Sequence, residues 1–290
     1  MQMVSYLWVF LFLAGLLLTA CTTIVEKEIP FPDRNIVVNS IFSNDSLFKV
    51  QLSLPQGIGN FGQGKKFETI ENAKVEIFKG GSLLETLPHI GNGVYRSPTL
   101  KASYPGAGYS VRVAAPGFPE ASATDTLPAP PDTGTLTGTR FYDGENGDGY
   151  EISLSLRDDP QQNDYYFVFA YYMDVFSATA DTIYFANPLD LELSDPIEEF
   201  HIGNQHGFSD KTFNGRSYNL RIKVYNRAAE QFYIVVGKDS PSLYEYYKSY
   251  DRQRNEDSPF TPPYEVTNNI ENGLGIFGGY ASVKYPITLK

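Results

Sequence analysis

Alternating apolar and polar residues along most of the chain predict β-strands. In the segment LFKVQLSLP, Phe48, Val50, Leu52 and Leu54 alternate with other residues, which is the two-residue period of a half-buried strand. Similar runs, separated by Gly, Pro, Asn and Asp, continue along the first half of the chain. Residues 35–127 are therefore predicted to form about seven short strands of a β-sandwich, immunoglobulin-like or transthyretin-like in type.

Residues 134–290 predict a second, antiparallel β domain that contains one helix. The run DYYFVFAYY is apolar on both faces of a strand, which is typical of a central strand in a layered domain. Near residues 241–255 the apolar spacing becomes helical, and Ser240 followed by Pro241 suits an N-cap and a first helical position. The proline-rich segment 128–133 predicts a stiff linker between the two domains. The expected fold class is mainly β.

The first twenty residues depart from this pattern because they contain no Asp, Glu, Lys or Arg. Their unbroken apolar run, from Leu7 to Leu18, matches a signal peptide and is shorter than the roughly 20 residues of a membrane-spanning helix. The following Leu-Thr-Ala-Cys resembles the lipobox of bacterial lipoproteins, in which the cysteine is diacylated before cleavage. This predicts a signal peptide over residues 1–20, an acylated Cys21 that anchors the chain to a membrane, and a tether over 21–34.

An uncleaved membrane helix from Met3 to Val25 is the alternative interpretation of the same segment. Cys21 is the sole cysteine of the chain, so its acylation would leave no thiol for a disulfide, a nucleophile or a zinc site. The net charge of −11 argues against a nucleic-acid partner, which would require a basic surface.

Candidate chemistry is sparse in the rest of the chain. The three histidines are His89, His201 and His206, and a spacing of five places the last two on different faces of a single helix or strand, so that only a loop would bring them together. Neither a G-x-S-x-G elbow nor an H-E-x-x-H motif occurs. The sequence therefore predicts no metal site, no cofactor, no catalytic residue and no enzymatic activity.

The acidic loop Asp143–Gly149 invites comparison with a calcium site. An EF-hand loop requires an oxygen ligand at its fifth position and Glu at its twelfth, where this chain has Gly147 and Leu154. The loop is predicted to be a solvated hairpin turn, and an irregular calcium site stays open as the alternative.

The C-terminal segment SPFTPPYEVTNNIENGLGIFGG resembles the corresponding part of the domain-of-unknown-function 4249 family of Bacteroidetes outer-membrane lipoproteins. The segments NIVVNSIFS, ENAKVEIF, GNGVYRS, YPGAGYSVRV and LPAPPD extend the resemblance over the whole mature chain. The resemblance implies an outer-membrane lipoprotein of a kind commonly encoded beside TonB-dependent transporters, with no established activity. The expected function is that of a non-enzymatic accessory or ligand-binding partner of such a transporter in nutrient uptake. A structural or assembly component of the cell envelope and a surface hydrolase are the alternatives.

Further expectations about sites follow from the resemblance. The Asp-Ser/Thr-apolar motif of O-glycosylation in this phylum resembles the surroundings of three residues, Ser46, Thr126 and Thr182. The glycine-rich tail is interpreted either as turns and core residues or as a partner-docking loop that contains Asn269, Gly273, Gly275 and Phe277. The acidic residues after Cys21 are interrupted by Lys27, so the sequence leaves open which side of the outer membrane the protein faces.

Overall fold

The computed structural model describes residues 35–55, 67–103, 106–143, 147–178, 181–225, 231–255 and 264–288, with side chains for all of these except 143–148 and 174–185. Strands dominate this part of the chain, so the mainly β prediction is confirmed. The predicted signal peptide, Cys21 and the tether lie outside the described residues.

The strands follow the alternation of the sequence. In chain order they are β1 (Ile36–Ser43), β2 (Leu47–Ser53), β3 (Lys74–Lys79), β4 (Ser82–Thr86), β5 (His89–Gly91), β6 (Val94–Lys101), β7 (Gly108–Ala114), β8 (Ala121–Thr126), β9 (Asp132–Asp143), β10 (Gly147–Arg157), β11 (Tyr165–Ala178), β12 (Asp181–Leu189), β13 (Leu191–Leu193), β14 (Phe200–Ile202), β15 (Gln205–Ser209), β16 (Ser217–Tyr225), β17 (Gln231–Asp239) and β18 (Gly273–Thr288). The helix α1 spans Pro241–Asn255, and a short 3₁₀ turn spans Asp210–Thr212.

Three sheets organise these strands. A large ten-stranded sheet has the order β14-β15-β11-β17-β18-β1-β2-β6-β5, with β12 paired to β11. The first small sheet has the order β4-β3-β7-β8, and the second has the order β13-β16-β10-β9. The aromatic strand β11 is central, as its apolar faces predicted, because it pairs with β12, β15 and β17.

Each small sheet shares a hydrophobic core with part of the large sheet. The first core joins β1 and β2 to β3 and β7, with Phe42 and Phe48 fully buried in it. The second joins β11 and β17 to β10 and β16 through residues such as Val168 and Ile222. Both are sandwich interiors in which alternate side chains of facing sheets interdigitate.

The last strand connects the two halves of the chain, which belong to one compact unit, Arg34–Lys290. It pairs with β1 in parallel, from Ile36 opposite Gly273 to Ser43 opposite Tyr280. The predicted linker 128–133 thus lies between two cores that share one sheet, and its role as a domain boundary stays a prediction.

The helix begins where the sequence predicted. The backbone N–H of Leu243 donates to Oγ of Ser240 at 3.2 Å, which is an N-cap hydrogen bond. Leu243 packs against Gly278 of β18, where an added Cβ would lie 2.8 Å from the leucine side chain. In the described part of the chain, no helix combines the length and the apolar character needed to cross a bilayer.

Candidate functional site

A groove of about 510 Å³ lies on the face of the large sheet that carries α1, over strands β11, β17 and β18. Ligand pockets of proteins commonly have volumes of roughly 300–1,000 Å³ and aromatic walls with a few polar groups. The aromatic lining consists of Phe167, Phe169, Tyr171, Tyr247 and Tyr280. The polar and charged lining consists of Asp45, Gln205, Asp239, Ser282 and Lys284.

The alternation of the strands separates this groove from the cores. In β11, Phe167 and Phe169 face the groove, while Tyr166 and Val168 enter the second core. In β18, Ser282 and Lys284 face the groove, whereas Tyr285 packs against the second core. The aromatic residues of the groove are therefore additional to those needed for the sandwich interior.

The position of the Phe167 ring depends on a glycine. Gly237 of β17 lies directly opposite Phe167 in the strand register, and an added Cβ would stand 2.2 Å from the end of the ring. The ring occupies the space over β17 that any other side chain would fill.

A series of ring contacts continues along the groove. The centroids of Phe167 and Phe169 are 6.1 Å apart, as are those of Phe169 and Tyr171, and Tyr171 lies 5.2 Å from Tyr233. The ammonium Nζ of Lys284 lies 3.9 Å from the Tyr233 centroid and 5.2 Å from that of Tyr171. This cation–π geometry places a positive charge at one end of an aromatic surface.

Asp239 supplies a buried acidic group to the lining of the groove. The residue is 3% exposed, and its Oδ2 accepts no hydrogen bond from the described residues. Burial raises the pKa of Asp239 well above its ordinary value, and the charge of Asp125 raises it further. A buried polar atom without a partner is costly, so a hydrogen-bonding group that reached Oδ2 of Asp239 from the groove would relieve that cost.

Asp125 beside it is fully engaged in holding three elements together. Its Oδ2 accepts hydrogen bonds from Oγ of Ser240 and, at 3.0 Å, from the backbone N–H of Gly279. Burial raises the pKa of Asp125, and the hydrogen bond from Ser240 opposes that shift. This network joins β8, the start of α1 and β18, and thereby fixes the end of β17 that carries Asp239.

A buried ion pair lies on the opposite face of β17. Nζ of Lys238 pairs with Oδ2 of Asp164, and the two side chains are 6% and 8% exposed. The backbone N–H of Asp164 donates to Asp210 at 2.8 Å, and the Tyr166 hydroxyl donates to Asp158 at 2.8 Å. Burial raises the pKa of Asp164, and Lys238 opposes that shift. These contacts connect two surface loops to the sheet and point away from the groove.

A second group of polar side chains occupies the hairpin formed by β14 and β15. His201 and His206 are register partners there, with ring centroids 4.1 Å apart. Nδ1 of His206 contacts Oε2 of Glu198. Burial lowers the pKa of His206, and Glu198 opposes that shift. The two histidines face each other because the chain reverses direction between them, at a two-residue turn that joins β14 to β15.

Another cavity of about 600 Å³ lies near the first core, lined by residues that include Leu54, Ile70 and Phe118. Two of its lining residues, Leu54 and Glu68, come before and after residues 56–66 in the sequence, and that segment is outside the described part of the chain. It has one aromatic residue in its described lining, against five in the groove.

The comparison with known families identifies the chain. Residues 22–285 match the model of the family described as Domain of unknown function (DUF4249). The protein belongs to the DUF4249 family. No curated protein matches this DUF4249 chain.

Among solved structures, chitinase ChiA74 from Bacillus thuringiensis is similar to 68% of this chain, with 17% sequence identity and a TM-score of 0.16. The chain spans 27% of that chitinase. A TM-score this low gives no information about the fold or function of the DUF4249 chain.

The structure places the glycosylation candidates in different environments. Ser46 is half-buried, and its Oγ lies 2.7 Å from Oγ of Ser43. Thr126 is exposed at the end of β8. Thr182 belongs to β12, but its side chain is outside the described part, as are Cys21 and the side chains of the acidic loop 143–148. Modification of these residues stays a prediction.

The glycine-rich tail of the DUF4249 chain lies within the large sheet and beside it. Asn269 makes two hydrogen bonds with the backbone of Phe277, at 2.8 Å to its oxygen and 3.0 Å from its nitrogen. Phe277 is fully buried in the first core. Gly273 and Gly275 pair with β1, and a Cβ on Gly275 would stand 2.2 Å from the oxygen of Val38. A docking role for these residues stays a prediction.

Sequence reasoning missed two features of the site. Gly203–Asn204 between strand-like segments is a signal for a two-residue hairpin turn, and it would have predicted that His201 faces His206. Asp239 follows an apolar strand directly, but no sequence pattern shows that its carboxyl group is buried at a groove.

Proposed function

We propose that this protein is a non-enzymatic outer-membrane lipoprotein, anchored through an acylated Cys21, which binds a small ligand in the aromatic groove. In this proposal it acts as an accessory partner of a TonB-dependent transporter in nutrient uptake. The observation that supports ligand binding most strongly is the unpartnered Oδ2 of Asp239 in a groove lined by five aromatic residues.

The composition of the groove supports a class of ligand. Phe169 and Tyr171 offer half-buried apolar surface, and burying such surface on a ligand is favourable at about 25 cal/mol per Å². Because burial raises the pKa of Asp239, its carboxyl group retains a proton more readily and favours a ligand hydroxyl group, which can both donate and accept a hydrogen bond at Oδ2. Lys284 would donate to an acidic or carbonyl group at the other end.

Isolation of the protein from mildly solubilised outer membranes tests the proposed partnership. The expected result is that a TonB-dependent transporter co-purifies with it. Recovery of the protein alone, together with a deletion that leaves the uptake of every tested nutrient unchanged, would refute the accessory role. A deletion that alters membrane integrity without a nutrient phenotype would favour an envelope component instead.

The anchor is tested separately by Cys21→Ser. Loss of the thiol should remove the lipid mass from the mature protein and release or mislocalise it. Unchanged membrane fractionation and an unchanged mass would contradict the lipoprotein assignment.

A further inference from the structure

Glu198, His201 and His206 bring three ligand atoms within 4.8 Å of one another at the β14–β15 hairpin. The cross-strand pairing places both imidazoles on one face of the hairpin, with their planes inclined by 23°. Glu198 precedes β14 and reaches His206 from the side. One carboxylate and two imidazoles from three positions of the backbone thus lie close together. Because the two rings are nearly parallel, a rotation of the exposed His201 side chain would direct both imidazoles and the carboxylate at one ion.

The hairpin is held in place by contacts that do not involve these three side chains. The side-chain amide of Asn204 in the turn donates to the backbone oxygen of Ala170 at 2.9 Å. The backbone N–H of Glu199 donates to the oxygen of Gly207 at 2.7 Å. The Phe200 ring fills the space above Gly207, where an added Cβ would lie 2.0 Å from it. The backbone positions of the three residues are therefore fixed before any ligand binds, which lowers the entropic cost of binding.

The donor atoms of these three side chains determine which metal ions the site suits. Imidazole nitrogen together with one carboxylate oxygen suits Zn²⁺ and neighbouring transition metals, while Ca²⁺ and Mg²⁺ prefer sites made of oxygen alone. Three protein ligands leave one position of a tetrahedral Zn²⁺ ion for water. His201 and His206 lie on β14 and β15 at the edge of the large sheet, and His201 and Glu198 are exposed, so an ion has access from solvent.

We propose that Glu198, His201 and His206 form a binding site for one Zn²⁺ ion. The site is separate from the aromatic groove. His206 is the register partner of Val168, so both side chains lie on the face of the sheet that carries the second core. Phe167 and Phe169 lie on the other face, which carries the groove. The ion would cross-link the two strands of the hairpin to the segment before β14. The proposal is therefore independent of the ligand-binding role of the groove.

Titration of the full-length protein with ZnCl₂ tests the site. The protein is produced without a histidine tag, kept in mild detergent, freed of metal with EDTA and dialysed before calorimetry and elemental analysis. The expected result is one Zn²⁺ per chain, with a dissociation constant in the micromolar range or below.

Variants locate the ion. Because His206 is buried and His201 is exposed, His201→Ala is the informative histidine variant, and Glu198→Gln tests the carboxylate. Each should weaken Zn²⁺ binding at least about tenfold, the effect expected for the loss of a well-placed ligand or its partner. His89→Ala, which removes the remaining histidine, should bind Zn²⁺ as the unaltered protein does. Substoichiometric binding, or equal affinity in His201→Ala and His89→Ala, would overturn the proposal.

Discussion

Phe167 lies across Gly237, its register partner on the neighbouring strand, at a distance that leaves no room for a Cβ atom. The pair links the fold to the groove, because the ring can line the groove only while the position opposite has no side chain. Similar relationships between a phenylalanine ring and a glycine occur at Phe200 and Gly207.

Gly237→Ala should therefore destabilise the protein and displace the Phe167 ring. We expect the free energy of unfolding to fall by about 1–3 kcal/mol, which is the usual cost of overpacking. Chemical denaturation measures the change. Gly138→Ala is the matched control, because its nearest neighbour would be 3.7 Å away, and it should alter stability much less. Equal effects of the two substitutions would contradict the assigned role of Gly237.

Asp239→Asn should change how stability depends on pH. Burial raises the folded-state pKa of Asp239 above the ordinary 3.8, so the folded state holds the proton more tightly than the unfolded chain does. Stability contributed by this proton is fully present below pH 3.8 and is lost as the pH rises through the folded-state pKa. The asparagine variant has no carboxyl group to ionise, so its free energy of unfolding should not fall in this way. At pH 7–8 its unfolding temperature should therefore exceed that of the unaltered protein by about 2–4 °C for each kcal/mol of stability recovered.

The control for this experiment is Asp190→Asn, since Asp190 is exposed. It should leave the thermal midpoint unchanged over the same pH range. A lower midpoint for Asp239→Asn than for the control at pH 8 would show that the Asp239 carboxylate is stabilised by contacts rather than strained by burial.

Lys238→Met should be among the most damaging single substitutions outside the apolar cores. It leaves Asp164 buried without its counter-charge, and breaking a buried ion pair in this way costs about 3–5 kcal/mol. The double variant Lys238→Met with Asp164→Asn should recover part of that loss, as measured by denaturation.

The control is Lys211→Met, which removes an exposed lysine that lies 3.6 Å from Glu199, and it should cost at most about 1 kcal/mol. Additive effects in the double variant would argue against a coupled pair.

Asn269→Ala tests whether the glycine-rich tail stabilises the fold. The substitution leaves the N–H and C=O groups of Phe277 without their side-chain partners, which should cost about 1–3 kcal/mol. Asn72→Ala, at an exposed position, is the control and should be nearly neutral. An Asn269→Ala protein of unchanged stability that no longer binds a partner would instead support a docking loop.

Local features of the fold were predictable because short-range chemistry determines them. Gly80 and Gly81 both adopt positive φ in the β3–β4 hairpin, as the glycine pair indicated. Ser240 and Pro241 predicted where α1 begins. The alternation of Phe48, Val50 and Leu52 identified the buried face of β2.

Long-range pairing was not predictable by the same reasoning. Nothing local in the sequence shows that β1 pairs with β18, because their contact depends on the whole intervening chain. The groove depends on that pairing, since Ile41 of β1 and Tyr280 of β18 both line it. Asp239 is buried by elements that are distant in sequence, so its altered pKa follows from the assembled fold alone.

The groove is proposed to bind a small ligand, and equilibrium binding to the unaltered protein and to groove variants measures whether it does. The full-length protein is first screened with panels of oligosaccharides, peptides and small nutrients for a rise in its unfolding temperature, and the dissociation constant of each active compound is then measured. Tyr171→Ala and Phe169→Ala should weaken binding at least about tenfold, equivalent to about 1.4 kcal/mol, because each removes apolar surface from the groove. Tyr142→Ala removes an aromatic ring that is 76% exposed and does not line the groove, and it should bind as the unaltered protein does. Failure of every compound to stabilise the protein, or equal affinity in Tyr171→Ala and Tyr142→Ala, would contradict the assignment of the groove as the ligand site.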